Sequence, residues 1–414
     1  MISSALSSDS DDVTKLLNVS LDLIAPNKSP KAPNASTVTE AKPWTSTSIS
    51  KGTMRGADSF KGAGGGGKTK TMADSERAVE VLSFLVSKTK VKEELCYGSA
   101  RCPKAFLRLC QAAQDIDGTS PIAYGLAFLF SSLCVSKEEE TKESFRGKDM
   151  TYDQFLQLKQ LHDAHGQGPK EDDTDTKDTH EAARRRSQVL VEAGCVLALK
   201  KVAEGASSAT RERIALCFRR LATEPSNRGF IVQQGGLVLL MNMAAAPKQG
   251  NGPKGNVNED KGKGKGCLSE ARHAIAKTLI TTNPNLLTEA QTMGCVPALI
   301  AMCKDHESLN LQQFESLMAL TNLASLDNLR SRIVAERGIS CFHFLQFSDH
   351  EMVRRAATET MCNLLPHPAM MKHMKATETL KLWAAFAKLG LDDPPTAAAA
   401  IGGLAMAVRD PEVG

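Results

Sequence analysis

Aromatic side chains are scarce in this chain of 414 residues, at 5% of the total with 2 Trp and 3 Tyr. Sandwiches and barrels fill their pleated faces with aromatic and β-branched residues, so that class is disfavoured, whereas a core of Ala, Leu, Val and Met suits stacked helices. Charge of one sign is lacking too: 51 Lys+Arg against 47 Asp+Glu leave a net +4. No nucleic-acid partner is expected, since that needs basic residues clustered on one face. The 11 cysteines are odd in number and contain no Cys-x-x-Cys pair, which argues against a disulfide framework and against a zinc site. Cys217, Cys295 and Cys362 fall inside apolar helical runs, where a reduced thiol behaves as a small hydrophobe, so a reducing compartment is expected, the cytoplasm or alternatively the nucleus. No apolar run is long enough to span a bilayer: the longest, Ile122 to Val135, is interrupted by Ser131 and Ser132. The N-terminus has neither a basic flank nor an apolar signal core, and without one the Asn-x-Ser sequons at Asn18, Asn27 and Asn34 carry no meaning.

What is present is an ordinary globular balance of 42% hydrophobic and 24% charged residues, enough for two or three domains or one elongated array. Residues 1–74, rich in Ser, Thr, Lys, Pro and Gly without sustained periodicity, read as a disordered low-complexity tail. From Ser75 the pattern turns helical (Ala78, Leu82, Leu85), and a second helix is predicted over Ala123 to Cys134. The stretch near 137–180 is polar and acidic, with a short helix expected around Phe155 between solvated loops, and the Lys/Gly-rich stretch at 245–266 reads as a flexible insertion.

Outside these breaks the sequence repeats itself. Gly194, Gly236 and Gly338 each open an apolar run, preceded at one offset by Arg186, Arg228 and Arg330. With Gly294 and a weaker start at Glu378 the steps are 42, 58, 44 and 40 residues, and removing most of the Lys/Gly insertion returns the 58 to about 40. Long helices are predicted before successive Gly residues, over Arg211–Leu221, Ala271–Leu279, Gln312–Ala324 and Met352–Leu364, the last with Ser348 and Glu351 as a capping box. The fold class is therefore all-α: an armadillo-type right-handed superhelix, because a unit of this size cannot bury its own apolar face and must stack on its neighbours. The product is a curved groove suited to an extended peptide or a large protein surface.

Phe314–Ser325 (FESLMALTNLAS), Glu351–Leu364 (EMVRRAATETMCNL) and Gly402–Met406 (GGLAM) resemble the UCS (Unc/Cro/She) family of myosin-directed chaperones. Ala123-Tyr124-Gly125, Glu192-Ala193-Gly194 and Val232–Gly236 resemble the central region that precedes the UCS domain in that family. The resemblance divides the chain into the tail, a central armadillo-like region at 75–293, and the start of a UCS-type region at 294–414. It implies a non-enzymatic chaperone whose partner is the myosin motor domain. Animal members add a tetratricopeptide domain that recruits heat-shock protein 90; the first 90 residues here carry no such helix pairs, and the family continues past the position of Gly414, so an incomplete UCS-type region is expected. The alternative is an armadillo scaffold or adaptor that holds a native linear peptide.

In armadillo arrays an Asn on the last helix of each repeat can hydrogen-bond an extended peptide, since its amide both donates and accepts. Asn322 and Asn363, 41 residues apart in equivalent Asn-Leu contexts, are the client-groove candidates, against the alternative that they satisfy backbone groups between repeats. Arg354 and Arg355 are candidates for an acidic client surface, against a solvated helix face. Arg186, Arg228 and Arg330, recurring at one offset, are expected to pair with neighbouring helix ends. Gly62 to Thr69 formally matches a phosphate loop, but RGADSFK before it is no strand, so no nucleotide or other cofactor is expected. His162 and His165 lie in a polar segment without further ligands of metal-site spacing, and no catalytic constellation is found.

Overall fold

The computed structural model describes residues 17, 19–24, 65–97, 102–145, 152–164, 178–245, 265–390 and 392–411. Among these the regular structure is helical. The elements are α1 (Gly65–Leu85), α2 (Thr89–Tyr97), α3 (Cys102–Gln114), α4 (Ala123–Leu133), α5 (Lys137–Ser144), α6 (Tyr152–Ala164), α7 (His180–Glu192), α8 (Cys195–Val202), α9 (Ser208–Leu221) and α10 (Pro225–Gln233). They continue as α11 (Gly236–Ala244), α12 (Lys265–Leu279), α13 (Glu289–Lys304), α14 (Asn310–Leu323), α15 (Asp327–Ala335), α16 (Gly338–Leu345), α17 (Glu351–Leu364), α18 (Pro368–Met374), α19 (Thr377–Ala387) and α20 (Pro394–Ala407).

From α7 onward the helices form triplets, with the short turn Pro284–Leu286 in the place of a first helix before α13. Third helices stack on third helices in the order α4, α9, α12, α14, α17, α20, and α1 extends the row beyond α4. Second helices make a parallel row, α3, α8, α11, α13, α16. The predicted long helices are all third helices, which is why their apolar periodicity was legible: α17 buries Val353, Ala356, Ala357, Met361 and Leu364 against both neighbours. One core cluster runs from Leu17 to Ala407.

Short connections are set by caps and by left-handed residues. Thr179, Ser207 and Thr288 accept hydrogen bonds from the first turns of α7, α9 and α13. The sharp turn between first and second helices requires positive φ, which Gly194 (89°), Gly235 (79°) and Arg337 (60°) supply. Gly236 and Gly338 come next and serve packing: a Cβ at Gly338 would lie 2.6 Å from Ile333 Cγ2 and 2.8 Å from the Ile333 carbonyl oxygen.

Arg186, Arg228 and Arg330 do close helix ends. Arg228 and Arg330 donate to the carbonyls of Ala222 (2.9 Å) and Ala324 (2.6 Å), the C-caps of α9 and α14. Arg186, fully buried, donates to Leu133 and Val135 at the end of α4. Terminal helix carbonyls have no partner within the helix, so a guanidinium there satisfies two needs at once.

Four expectations are corrected. Within residues 1–74, Leu17, Leu21 and Ile24 are buried on one helical face, an i, i+4, i+7 stripe hidden among Ser and Asp, and Ser75 donates to the Leu23 carbonyl at 3.0 Å. The acidic run at Glu138–Glu140 is the first turn of α5, with Ser136 and Glu139 forming a capping box. Ser348 and Glu351 form none, because α17 starts two residues later, with His350 at its N-cap, while Ser348 and Asp349 give their carbonyls to Arg354. Gly294 opens nothing: α13 runs unbroken past it and past Pro297, with no left-handed residue to turn the chain.

Candidate functional site

The row of third helices carries all four sequence candidates. Near the C-terminal ends of α9, α14 and α17, one side chain reaches back to the preceding third helix. Arg220 of α9 donates to the Ser131 carbonyl at 2.8 Å, Asn322 of α14 donates to Leu279 and Thr282 at 2.7 Å each, and Asn363 of α17 donates to Thr321 at 3.1 Å. Asn322 is half-buried and has committed both amide hydrogens to carbonyls at and just beyond the end of α12, whereas Asn363 is exposed and makes one bond. The asparagine position therefore serves inter-repeat backbone groups at Asn322, and Asn363 keeps free donor and acceptor capacity.

Arg354 ties α17 to α20, donating to the Ser348 and Asp349 carbonyls and to Asp393 at 3.2 Å. Asp393 in turn caps α20 through the Thr396 N–H, and these bonds hold its carboxyl below the usual range against the opposing effect of burial. Arg355 pairs with Glu359 at 2.8 Å one turn along and stays partly exposed. Arg354 and Asn363 are nine residues apart, about 13–14 Å along the helix, so the arginines and the asparagine do not converge.

Sequence reasoning missed the ion pairs that the third helices make with their neighbours. Glu143 of α5 receives Arg219 and Arg220 of α9 at 2.5 Å each, and Arg219 also holds Glu270 of α12 at 2.5 Å. Burial alone would raise the Glu143 carboxyl, but the two guanidiniums overcome it and hold it at about 2. Between α12 and α14, Glu315 accepts from Lys277 at 2.7 Å and lies 2.5 Å from His273 Nε2. Burial keeps His273 below the ordinary imidazole range, so the hydrogen-bond network assigns a neutral ring donating Nε2–H to an ionised Glu315. A further pair of ties joins α2 to α7: Asp178, its side chain fully buried, binds Lys92 at 2.9 Å and Arg186 at 2.6 Å. No sequence signal marks these partners, because 86 residues separate Lys92 from Asp178 and 76 separate Glu143 from Arg219.

The other sequence motifs are absorbed by helices. Gly65 to Thr69 lie in α1, a helical backbone rather than a phosphate-cradling loop, while Gly62–Gly64 and His165 lie outside the described residues. Burial raises Cys110 and Cys295 to about 12. No group of three or more His, Cys, Asp or Glu able to hold a metal occurs among the described residues, and no helix there is long and apolar enough to cross a membrane.

Comparison with known proteins follows the same lines. No family model matches the chain. It is 31% identical over 243 residues to human Protein unc-45 homolog B, covering 58% of this chain and 24% of that protein, and 28% identical over 312 residues to the Xenopus laevis protein of that name, covering 74% and 30%. UNC-45 from Drosophila melanogaster matches with a TM-score of 0.57 and 25% identity, over 83% of this chain and 41% of that one. The myosin chaperone UNC-45 from C. elegans, solved with an Hsp90 peptide, shares the fold at a TM-score of 0.60 and 24% identity, over 83% of this chain and 33% of that one. She4p shares it at 0.56 and 17%, over 82% and 42%. The resemblance to the UCS family is borne out, as is the all-α solenoid. The matches span about a quarter to a third of the length of the two unc-45 homolog B proteins.

Proposed function

We propose that this chain is a client-binding armadillo segment of a myosin-directed chaperone, acting without catalysis of its own on the myosin motor domain in the cytoplasm. The observation that carries the proposal is the 312-residue alignment with an unc-45 homolog B, taken together with the continuous row of third helices. Such a row offers a long continuous surface, which suits a partly folded domain whose apolar surface must be covered while it folds. Heat-shock protein 90 is proposed as a second factor on the same client; the Hsp90 peptide is bound by the C. elegans relative. Within the row, Asn363 and Arg355 are proposed as client contacts, and Asn322 and Arg354 as residues that position the helices around them.

The adaptor alternative requires free amides at successive repeats to run along an extended peptide. Asn322 has both its N–H groups engaged and the corresponding Arg220 is buried, which favours the chaperone reading. The test is thermal aggregation of purified myosin motor domain, followed by light scattering with and without this chain, against an unrelated aggregating protein. Selective suppression for myosin is the expected result; equal suppression of both proteins, or none, refutes a myosin-directed role for this segment.

A further inference from the structure

At the start of the row α1 crosses α4 closely, and Gly125 permits it: a Cβ there would lie 2.2 Å from Val79 Cγ1. Beside the crossing is a cleft of 430 Å³ between the two helices. Its walls are apolar. Phe84 of α1 and Tyr124 of α4 stand 57% and 43% exposed over it, although the neighbouring Leu82, Leu85, Leu126 and Leu129 are buried. Phe128 closes one side, with the Arg213 guanidinium 5.0 Å from its ring centre. Two polar features complete it. Ser83 lines the cleft with a buried hydroxyl that has no hydrogen-bond partner. Glu76 and Glu80, one helical turn apart on the rim, are exposed, and neither has an ion pair among the described residues.

We propose that this cleft docks a polypeptide segment of a partner protein that presents a large apolar side chain with Lys or Arg within one turn of it. The volume falls in the range of ligand sites, the aromatic walls supply a desolvated pocket for the anchor, and the unpaired Ser83 hydroxyl supplies one orienting hydrogen bond to the segment's backbone. Charge sets the preference. The carboxylates of Glu76 and Glu80 on the rim attract a cation and repel a carboxylate, so an acidic segment is disfavoured. This site goes beyond the proposed client surface around Asn363 and does not depend on myosin being the client.

The experiment is selection of a random-peptide phage library on the full chain, then fluorescence anisotropy of the most enriched peptide. Enrichment of sequences pairing an apolar residue with Lys or Arg is expected. Affinity should fall about tenfold or more in Glu76→Lys with Glu80→Lys, and likewise in Phe84→Ala with Tyr124→Ala, while Asn363→Ala leaves it unchanged. All four cleft positions are exposed, so circular dichroism and melting should match the parent chain. Absence of enrichment, enrichment of acidic sequences, or binding that survives both double substitutions overturns the proposal. So does loss of binding in Asn363→Ala alone, which would assign the peptides to the C-terminal end of the row.

Discussion

Replacing Glu143 by Gln removes the charge that fastens α5 to α9. Arg219 and Arg220 are 9% and 6% exposed, and Glu143 itself 24%, so the pair sits where solvent screens little. The carboxyl is held at about 2 against a reference of 4.5. That depression corresponds to roughly 3 kcal/mol at pH 7, an upper bound that the surviving Arg219–Glu270 pair leaves at about 2–3 kcal/mol. The folded-state value is depressed, so the contribution is complete above the unfolded-state value near 4.5 and is lost as pH falls towards 2. Hydrogen exchange of the amides in Lys137–Ser144 reads this directly, because repeat arrays open locally rather than all at once. At pH 7 protection in Glu143→Gln should fall about 30- to 150-fold relative to the parent chain. At pH 3 the difference should shrink by more than half. A change under about threefold at pH 7, or a difference that is the same at pH 3, would refute the assignment of Glu143 as an ionised buried clamp.

Further outcomes are expected elsewhere. Asn322→Ala leaves the Leu279 and Thr282 carbonyls short of a donor and should cost about 1–2 kcal/mol in a melting experiment, whereas Asn363→Ala, exposed and singly bonded, should leave melting unchanged and weaken client binding. Gly338→Ala drives a methyl into Ile333 and its carbonyl and should lower stability by about 1–3 kcal/mol in thermal denaturation. Arg337→Gly in the same turn relieves a left-handed non-glycine residue and should raise the melting temperature, since the equivalent turns use Gly194 and Gly235. Cys110 and Cys295, buried and pushed up to about 12, should resist iodoacetamide at pH 8 until the chain unfolds, as mass spectrometry of the alkylated protein would register.

The repeat period, the helical class and the third helices were legible in the sequence, because each third helix has to bury an apolar stripe and so repeats it at 3.6-residue spacing. The helix-end arginines were legible for a related reason: Arg228 and Arg330 each close the last helix of the preceding repeat, only six residues upstream, so their spacing recurs. The Leu17–Ile24 stripe was missed because three apolar residues among Ser and Asp carry too little periodicity, and α5 because its helix is capped and clamped rather than amphipathic. Local sequence thus determined the helical class, the repeat period and the amphipathic third helices. Only the tertiary structure decided what the polar residues do. Asn322 and Asn363 are alike in their local sequence, yet stacking engages both donors of one and leaves the other exposed. Glu143, Asp178 and the Ser83 cleft acquire their environments from helices tens of residues away, and a burial or an ion pair created by long-range packing leaves no local pattern to read.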